Sequence, residues 1–257
     1  MFRSLFFRLP VVGVLVLLAG PVAAETYYNS QMMSMEQKEI MSPLPGNNKR
    51  VLEGCGPISA AMLLGYWQTE KGKANLLANG FNGHSHPDKA IRKLYRKLKT
   101  KKAPGANNLQ SYTLAKNYYK GLQDWVKGRG LEVKRVRRVN TWAAKKSALK
   151  SQLQQGHPVV LLKWKEHKDG CLGEGTRGFN LYKNIEQSHY FVAVGYRNNK
   201  VAIMPGGFEV GKTLASDFSV HLARNQTEEW EPYAFTTCTF DEIKKTSPTL
   251  FWLEPKN

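Results

Sequence analysis

Cys55 stands between two glycines in the stretch GCGPISAAMLLGYW, Gly54 to Trp67, and His189 opens the stretch HYFVAVGY far downstream. A thiolate attacks carbonyl carbon, and it needs a base to take up its proton. Pro57 opens a helix where proline is tolerated, because its missing N–H would have no partner there anyway. The helix that follows is apolar almost all round: Ile58, Ala60, Ala61, Met62, Leu63, Leu64, Tyr66 and Trp67. A helix without a polar face is buried on every side. The thiol then sits at the N-terminal mouth of a central helix, where unpaired N–H groups and the helix dipole favour an anion. This placement predicts a Cys55 that ionises more readily than a free thiol, with His189 helping to keep it so. Most lone cysteines in apolar stretches are inert core. The flanking glycines and the helix start set Cys55 apart from that class.

The base is one of six histidines. His189 follows a long glycine-rich stretch and begins an apolar strand, which puts an imidazole at the rim of a sheet, facing a cleft. His157 precedes Pro158 in a turn, His84 and His86 flank Ser85 before a helix, and His167 and His221 have no supporting context. His84 and His86 would make two metal ligands. No second His or Cys cluster supplies the others, so neither a metal nor any other cofactor is expected.

These side chains need a scaffold, and its elements are readable in outline. Residues 25–50 read as a polar, irregular lead-in. The central helix is expected at about 57–69, then helices at about 87–100 and 108–127. The first of these is marked by Ile91, Leu94, Tyr95 and Leu98, the second by Leu109, Tyr112, Tyr119, Leu122 and Trp125. A strand follows at 131–139, a helix at 141–155 and a buried strand at 158–164. Residues 165–188 read as a loop. Strands at 189–196 and 201–204 are joined by the turn Arg197-Asn198-Asn199-Lys200, and a last strand spans 250–254. Helices first and then a mostly antiparallel sheet is an α+β order.

Arg3 and Arg8, the apolar run Leu9–Gly20 and the small residues Val22-Ala23-Ala24 read as a signal peptide over residues 1–24, cleaved before Glu25. The run is short for a membrane span and broken by Pro10 and Pro21. About 230 residues remain, enough for one domain over residues 25–257 with a helical insertion at about 70–130. A secreted or periplasmic location follows. In an oxidising compartment two of the three cysteines pair. Cys171 and Cys238 lie in loop-like or strand-edge surroundings, and their pairing leaves Cys55 free. Pairing of Cys55 with either one is the alternative.

The chain carries a formal charge of +18, and +16 once Arg3 and Arg8 are set aside. That excess attracts polyanions. No nucleic-acid fold signature accompanies it, so an anionic envelope or membrane surface is the expected partner rather than a specific nucleic acid. The densest run, Arg92 to Lys102, has its apolar residues at helical spacing, and its lysines form a solvated face. Gly206 to Thr213, GGFEVGKT, fits the phosphate-loop pattern. It is set aside because Phe208 and Val210 are bulky where backbone must wrap a phosphate, Glu209 repels one, and no strand ending in aspartate follows. A glycine-rich turn between strands is the better reading.

CGPISAAMLLGYW, followed by GHPVVLLKW and SHYFVAVGY, resembles the papain-like cysteine peptidases, and among them the bacteriocin-leader-processing type and its secreted stand-alone relatives. The resemblance implies a papain-like fold, with Cys55 as nucleophile, His189 as base and a peptide or protein as substrate. Two positions depart from the family pattern. Where an aspartate before proline usually orients the imidazole, this chain has Met204-Pro205, and methionine cannot accept that hydrogen bond. Where a glutamine about six residues before the cysteine usually steadies the oxyanion, the chain has Lys49, with the shorter Asn48 beside it as candidate. The expected function is therefore a secreted cysteine peptidase or amide-bond hydrolase. The alternatives are a catalytically weakened papain-like binding module and a basic, envelope-associated or toxin-like protein. The sequence leaves the oligomeric state open.

Overall fold

The computed structural model describes residues 26–28, 39–41, 43, 50–52, 54–77, 81, 87–102, 111–164, 189–197, 199–205 and 236–256. In chain order its elements are β1 (Thr26–Tyr28), β2 (Glu39–Met41), β3 (Arg50–Leu52), α1 (Cys55–Thr69), α2 (Asp88–Lys97), β4 (Lys101–Lys102), β5 (Ser111–Tyr112), α3 (Ala115–Val126), β6 (Leu131–Val136), α4 (Trp142–Gln154), β7 (Val159–Lys163), β8 (His189–Arg197), β9 (Lys200–Pro205), β10 (Thr236–Thr239), α5 (Phe240–Lys245) and β11 (Thr249–Pro255).

Seven strands form one antiparallel sheet in the order β10-β9-β8-β7-β11-β6, and β1 pairs with the far half of β8. Side chains alternate across this sheet. Val160, Leu162, Tyr190, Val192, Phe251 and Leu253 pack against α1 on one face. Val159, Leu161, Phe191, Ala193, Leu250 and Trp252 pack on the other, with Leu149 and Leu153 of α4 and Phe240 and Ile243 of α5. A sheet covered on both faces needs apolar residues at successive positions, and every residue of β7 is accordingly buried. The mixed helix and antiparallel-sheet order is the expected α+β class.

Every residue of α1 from Cys55 to Trp67 is buried, as the lack of a polar face requires. The helix starts at Cys55, two residues before the expected start. Pro57 therefore lies inside the first turn, where no N–H is needed for the ladder. α3 starts at Ala115 rather than at about 108, because Ser111–Tyr112 pairs with Lys101–Lys102. Its buried face is Tyr118, Gly121, Leu122 and Val126. Tyr119 and Trp125, named from the sequence stripe, are only partly buried. Gly121 decides this rotation: a Cβ there would lie 2.6 Å from the Lys97 carbonyl oxygen of α2. β6 stops at Val136, three residues short of the expected end. The lead-in contains β1 and β2, which the polar composition did not show. β10 and α5 were also missed, although Thr239 and Glu242 of α5 form a reciprocal capping box.

Candidate active site

Gly54 precedes α1 with a positive φ of 85°, a conformation open to glycine at little strain. It turns the chain so that Cys55 begins the helix, and the Ile58 N–H closes the first turn on the Gly54 carbonyl at 3.2 Å. Cys55 carries a free thiol and is 8% exposed. The backbone N–H groups of Tyr190, Cys55 and Gly56 interact with its sulfur. Two belong to the helix start and one to β8.

These donors favour the thiolate, but burial outweighs them and pushes the thiol up to about 11. The sequence expectation of a readily ionised Cys55 is corrected here. A helix N-terminus lowers a thiol's pKa where the sulfur keeps some solvent, and this sulfur is covered.

The segment before α3 packs on the two glycines that flank Cys55. Thr113 lies directly on Gly56, where an added Cβ would fall 2.4 Å from Thr113 Oγ1 and 2.7 Å from its Cβ. Ser111 sits over Gly54 less tightly, its Cβ 3.1 Å from the position of a Cβ. Thr113 Oγ1 is hydrogen-bonded to Thr100 Oγ1 at 2.7 Å, and its carbonyl accepts from the Tyr190 phenol at 3.0 Å. Tyr118 of α3 stacks on Tyr190 with ring centroids 4.6 Å apart. Ser59 Oγ donates to the Gly56 carbonyl at 2.9 Å and stands 3.4 Å from Tyr118 Oη. Burial raises the pKa of both phenols, so both stay protonated; the charge Cys55 would carry raises them further.

His189 is buried at the first position of β8, not open to a cleft as expected. Its ring stands edge-on to Phe191 at 4.5 Å, on the face opposite Tyr190 and Val192. Lys163, itself buried, is its cross-strand neighbour. Burial first, and then the charge of Lys163, lower the imidazole to about 3, so it is neutral near pH 7. The structure thus brings the backbone of the His189–Tyr190 segment to the sulfur and packs the imidazole of His189 against Phe191. Met204 pairs with Val192 and is buried in the layer against α1.

Asn48, Lys49, Cys171, His84, His86, His167, His221 and the Gly206–Thr213 turn lie outside the described residues. Cys238 is buried in β10, at the edge of the sheet. Among the described residues no group of three His, Cys, Asp or Glu side chains could hold a metal ion. Sequence reasoning missed Thr113, Tyr118, Tyr190 and Lys163. Tyr190 had a signal: directly after His189 in an alternating strand, it must face the opposite layer.

A family model described as the Peptidase_C39 like family matches residues 28–230. The chain belongs to that family. None of the curated proteins matches it. Among solved structures, a fragment of prointerpain A from Prevotella intermedia is 12% identical with a TM-score of 0.50; the alignment covers 89% of this chain and 71% of that one. A C39-like peptidase from Bacillus anthracis is 13% identical with a TM-score of 0.47, over 91% of this chain and all of that one. The peptidase domain of the Streptococcus transporter ComA is 14% identical with a TM-score of 0.38, over 79% and 93%. Family membership accords with the stretches around Cys55 and His189 that carried the resemblance.

Proposed function

We propose that this chain is a papain-like cysteine peptidase with Cys55 as nucleophile and His189 as base. One observation carries the reading: a free thiol at the first residue of the buried helix, beside backbone N–H groups that favour its anion. Donors placed around a nucleophile also suit the oxyanion formed when it attacks a carbonyl. In the reaction, Cys55 Sγ bonds to the carbonyl carbon of a peptide as its proton passes to His189. The carbon–nitrogen bond then breaks as His189 returns that proton to the leaving amine, and water hydrolyses the thioester. Catalysis on this reading requires substrate to reach a sulfur that is buried in the described state.

The reading includes export, with residues 1–24 as signal peptide, a single domain over residues 25–257, and a Cys171–Cys238 disulfide. The free state of Cys55 is what supports the pairing. Asn48 is the proposed side-chain donor to the oxyanion.

A peptide-library assay on the full chain tests the reading. Cys55→Ala should abolish hydrolysis and leave the fold intact, and His189→Ala should lower it roughly a hundredfold or more. Undiminished hydrolysis by Cys55→Ala overturns the reading. A second reading, a papain-like binding module without catalysis, is favoured by the imidazole on the Phe191 face and by Met204 at the usual aspartate position. Saturable peptide binding by the wild type, with no cleavage even by a sensitive assay, would establish it.

A further inference from the structure

Away from the thiol, the surface between α2 and the end of α3 sinks into a groove of about 480 Å3 lined by Lys93, Arg96, Lys97, Asp124, Trp125 and Arg129. Lys93, Arg96 and Lys97 share one face of α2, opposite the buried Ile91 and Leu94. Asp124 is the one acid in the lining, and it stands 3.6 Å from Lys97. Three cations remain in excess. Lys93 and Lys97 lie four residues apart on one helix face, a like-charge arrangement that destabilises a helix by itself. An anion in the groove relieves that repulsion.

The walls also have shape. The indole N–H of Trp125 donates to the Leu76 carbonyl at 2.7 Å, which fixes the ring. Arg129 lies over that ring at 5.5 Å. A guanidinium laid on an aromatic face keeps its in-plane N–H groups for a ligand. Arg96 supplies a second guanidinium from the other wall. Two guanidinium forks and two ammonium groups match a group with several acceptor oxygens and more than one negative charge better than a single carboxylate.

We propose that this groove is a binding site for a phosphate group, carried either by a soluble phosphate ester or by a lipid headgroup. The site is independent of the peptidase reading. Tripolyphosphate titrated into the full chain should quench or shift tryptophan fluorescence saturably, and Trp125→Phe should remove that signal while calorimetry still shows binding. Arg96→Gln with Arg129→Gln should weaken binding by about tenfold or more. Lys116→Gln, on an exposed position of α3 outside the groove, should leave it unchanged. The thermal midpoint of each variant, read alongside, separates lost binding from lost fold. Vesicles of phosphatidylglycerol provide the second arm, with the double variant as reference because both chains share the apolar segment Leu9–Gly20. Retention that the double variant loses assigns the lipid headgroup as source; tripolyphosphate binding alone assigns a soluble phosphate. Citrate binding as tightly as tripolyphosphate, or binding unmoved by the double substitution, overturns the proposal.

Discussion

Tyr190 links Cys55 to the segment before α3 through one residue: its backbone N–H interacts with the Cys55 sulfur, and its phenol donates at 3.0 Å to the carbonyl of Thr113, which packs on the neighbouring Gly56. Thiol, strand and the Thr113 segment are joined through this one residue. The Tyr190→Phe variant keeps the ring stack on Tyr118 and removes only the hydroxyl. The Thr113 carbonyl then loses that partner in a buried setting, a loss of about 1–3 kcal/mol. The expected result is a lower thermal midpoint together with several-fold faster alkylation of Cys55 by iodoacetamide. A destabilised variant with an unchanged alkylation rate would show that Thr113 does not shield the thiol.

The thiol itself should titrate late. With its pKa pushed up to about 11 by burial, Cys55 is protonated near neutral pH and should alkylate more slowly than free cysteine at pH 7 to 8. The rate should keep rising above pH 9, the ordinary thiol value, until unfolding intervenes. A raised folded pKa also means stability that is full below pH 9 and is lost as the pH climbs toward 11. Absorbance of the thiolate followed against pH, with Cys55→Ala as blank, checks this. A titration midpoint below that of free cysteine would contradict the burial of Cys55.

His189 carries the opposite linkage. Its folded pKa of about 3 lies below the ordinary 6.5. Its neutral form therefore contributes stability that is full above pH 6.5 and is lost as the pH falls toward 3. His157, whose pKa burial also lowers, acts in the same direction, so the comparison must be between variants that both keep it. His189→Phe removes one buried base beside Lys163 and retains an aromatic ring against Phe191. Its thermal midpoint should fall distinctly less between pH 7 and pH 4 than that of the wild type. Parallel curves would show that His189 is not buried neutral in the folded chain.

The frame of the site was legible because it rests on strong periodicity. A helix apolar on all sides, from Ile58 to Trp67, had one physical outcome, and the continuous apolar run at Val159–Leu162 had another. Short paired elements were not legible: two residues at Ser111–Tyr112 carry no period, and their pairing with Lys101–Lys102 is a tertiary fact. The ionisation of Cys55 was misjudged for the same reason. Local sequence shows the helix start and its N–H groups. It does not show how deeply tertiary packing, including Thr113 against Gly56, buries the helix start, and burial is the larger effect. The side taken by the His189 ring likewise depends on Phe191 and on the cross-strand Lys163.

The last prediction concerns the other two cysteines. Cys55 is free, and pairing of Cys171 with Cys238 would tie the chain after β7 to the edge strand β10. A closed loop of that length restricts the unfolded chain by roughly 4 kcal/mol on the chain-entropy account. Non-reducing peptide mapping of the mature protein should yield one linked pair, Cys171 with Cys238, and one alkylatable thiol on Cys55 once the protein is denatured. Replacing both by alanine should lower the thermal midpoint and leave the Cys55 thiol free. The charge of the double variant is unchanged, so salt dependence should not move with it. Recovery of Cys55 linked to either partner would remove the nucleophile and with it the peptidase reading.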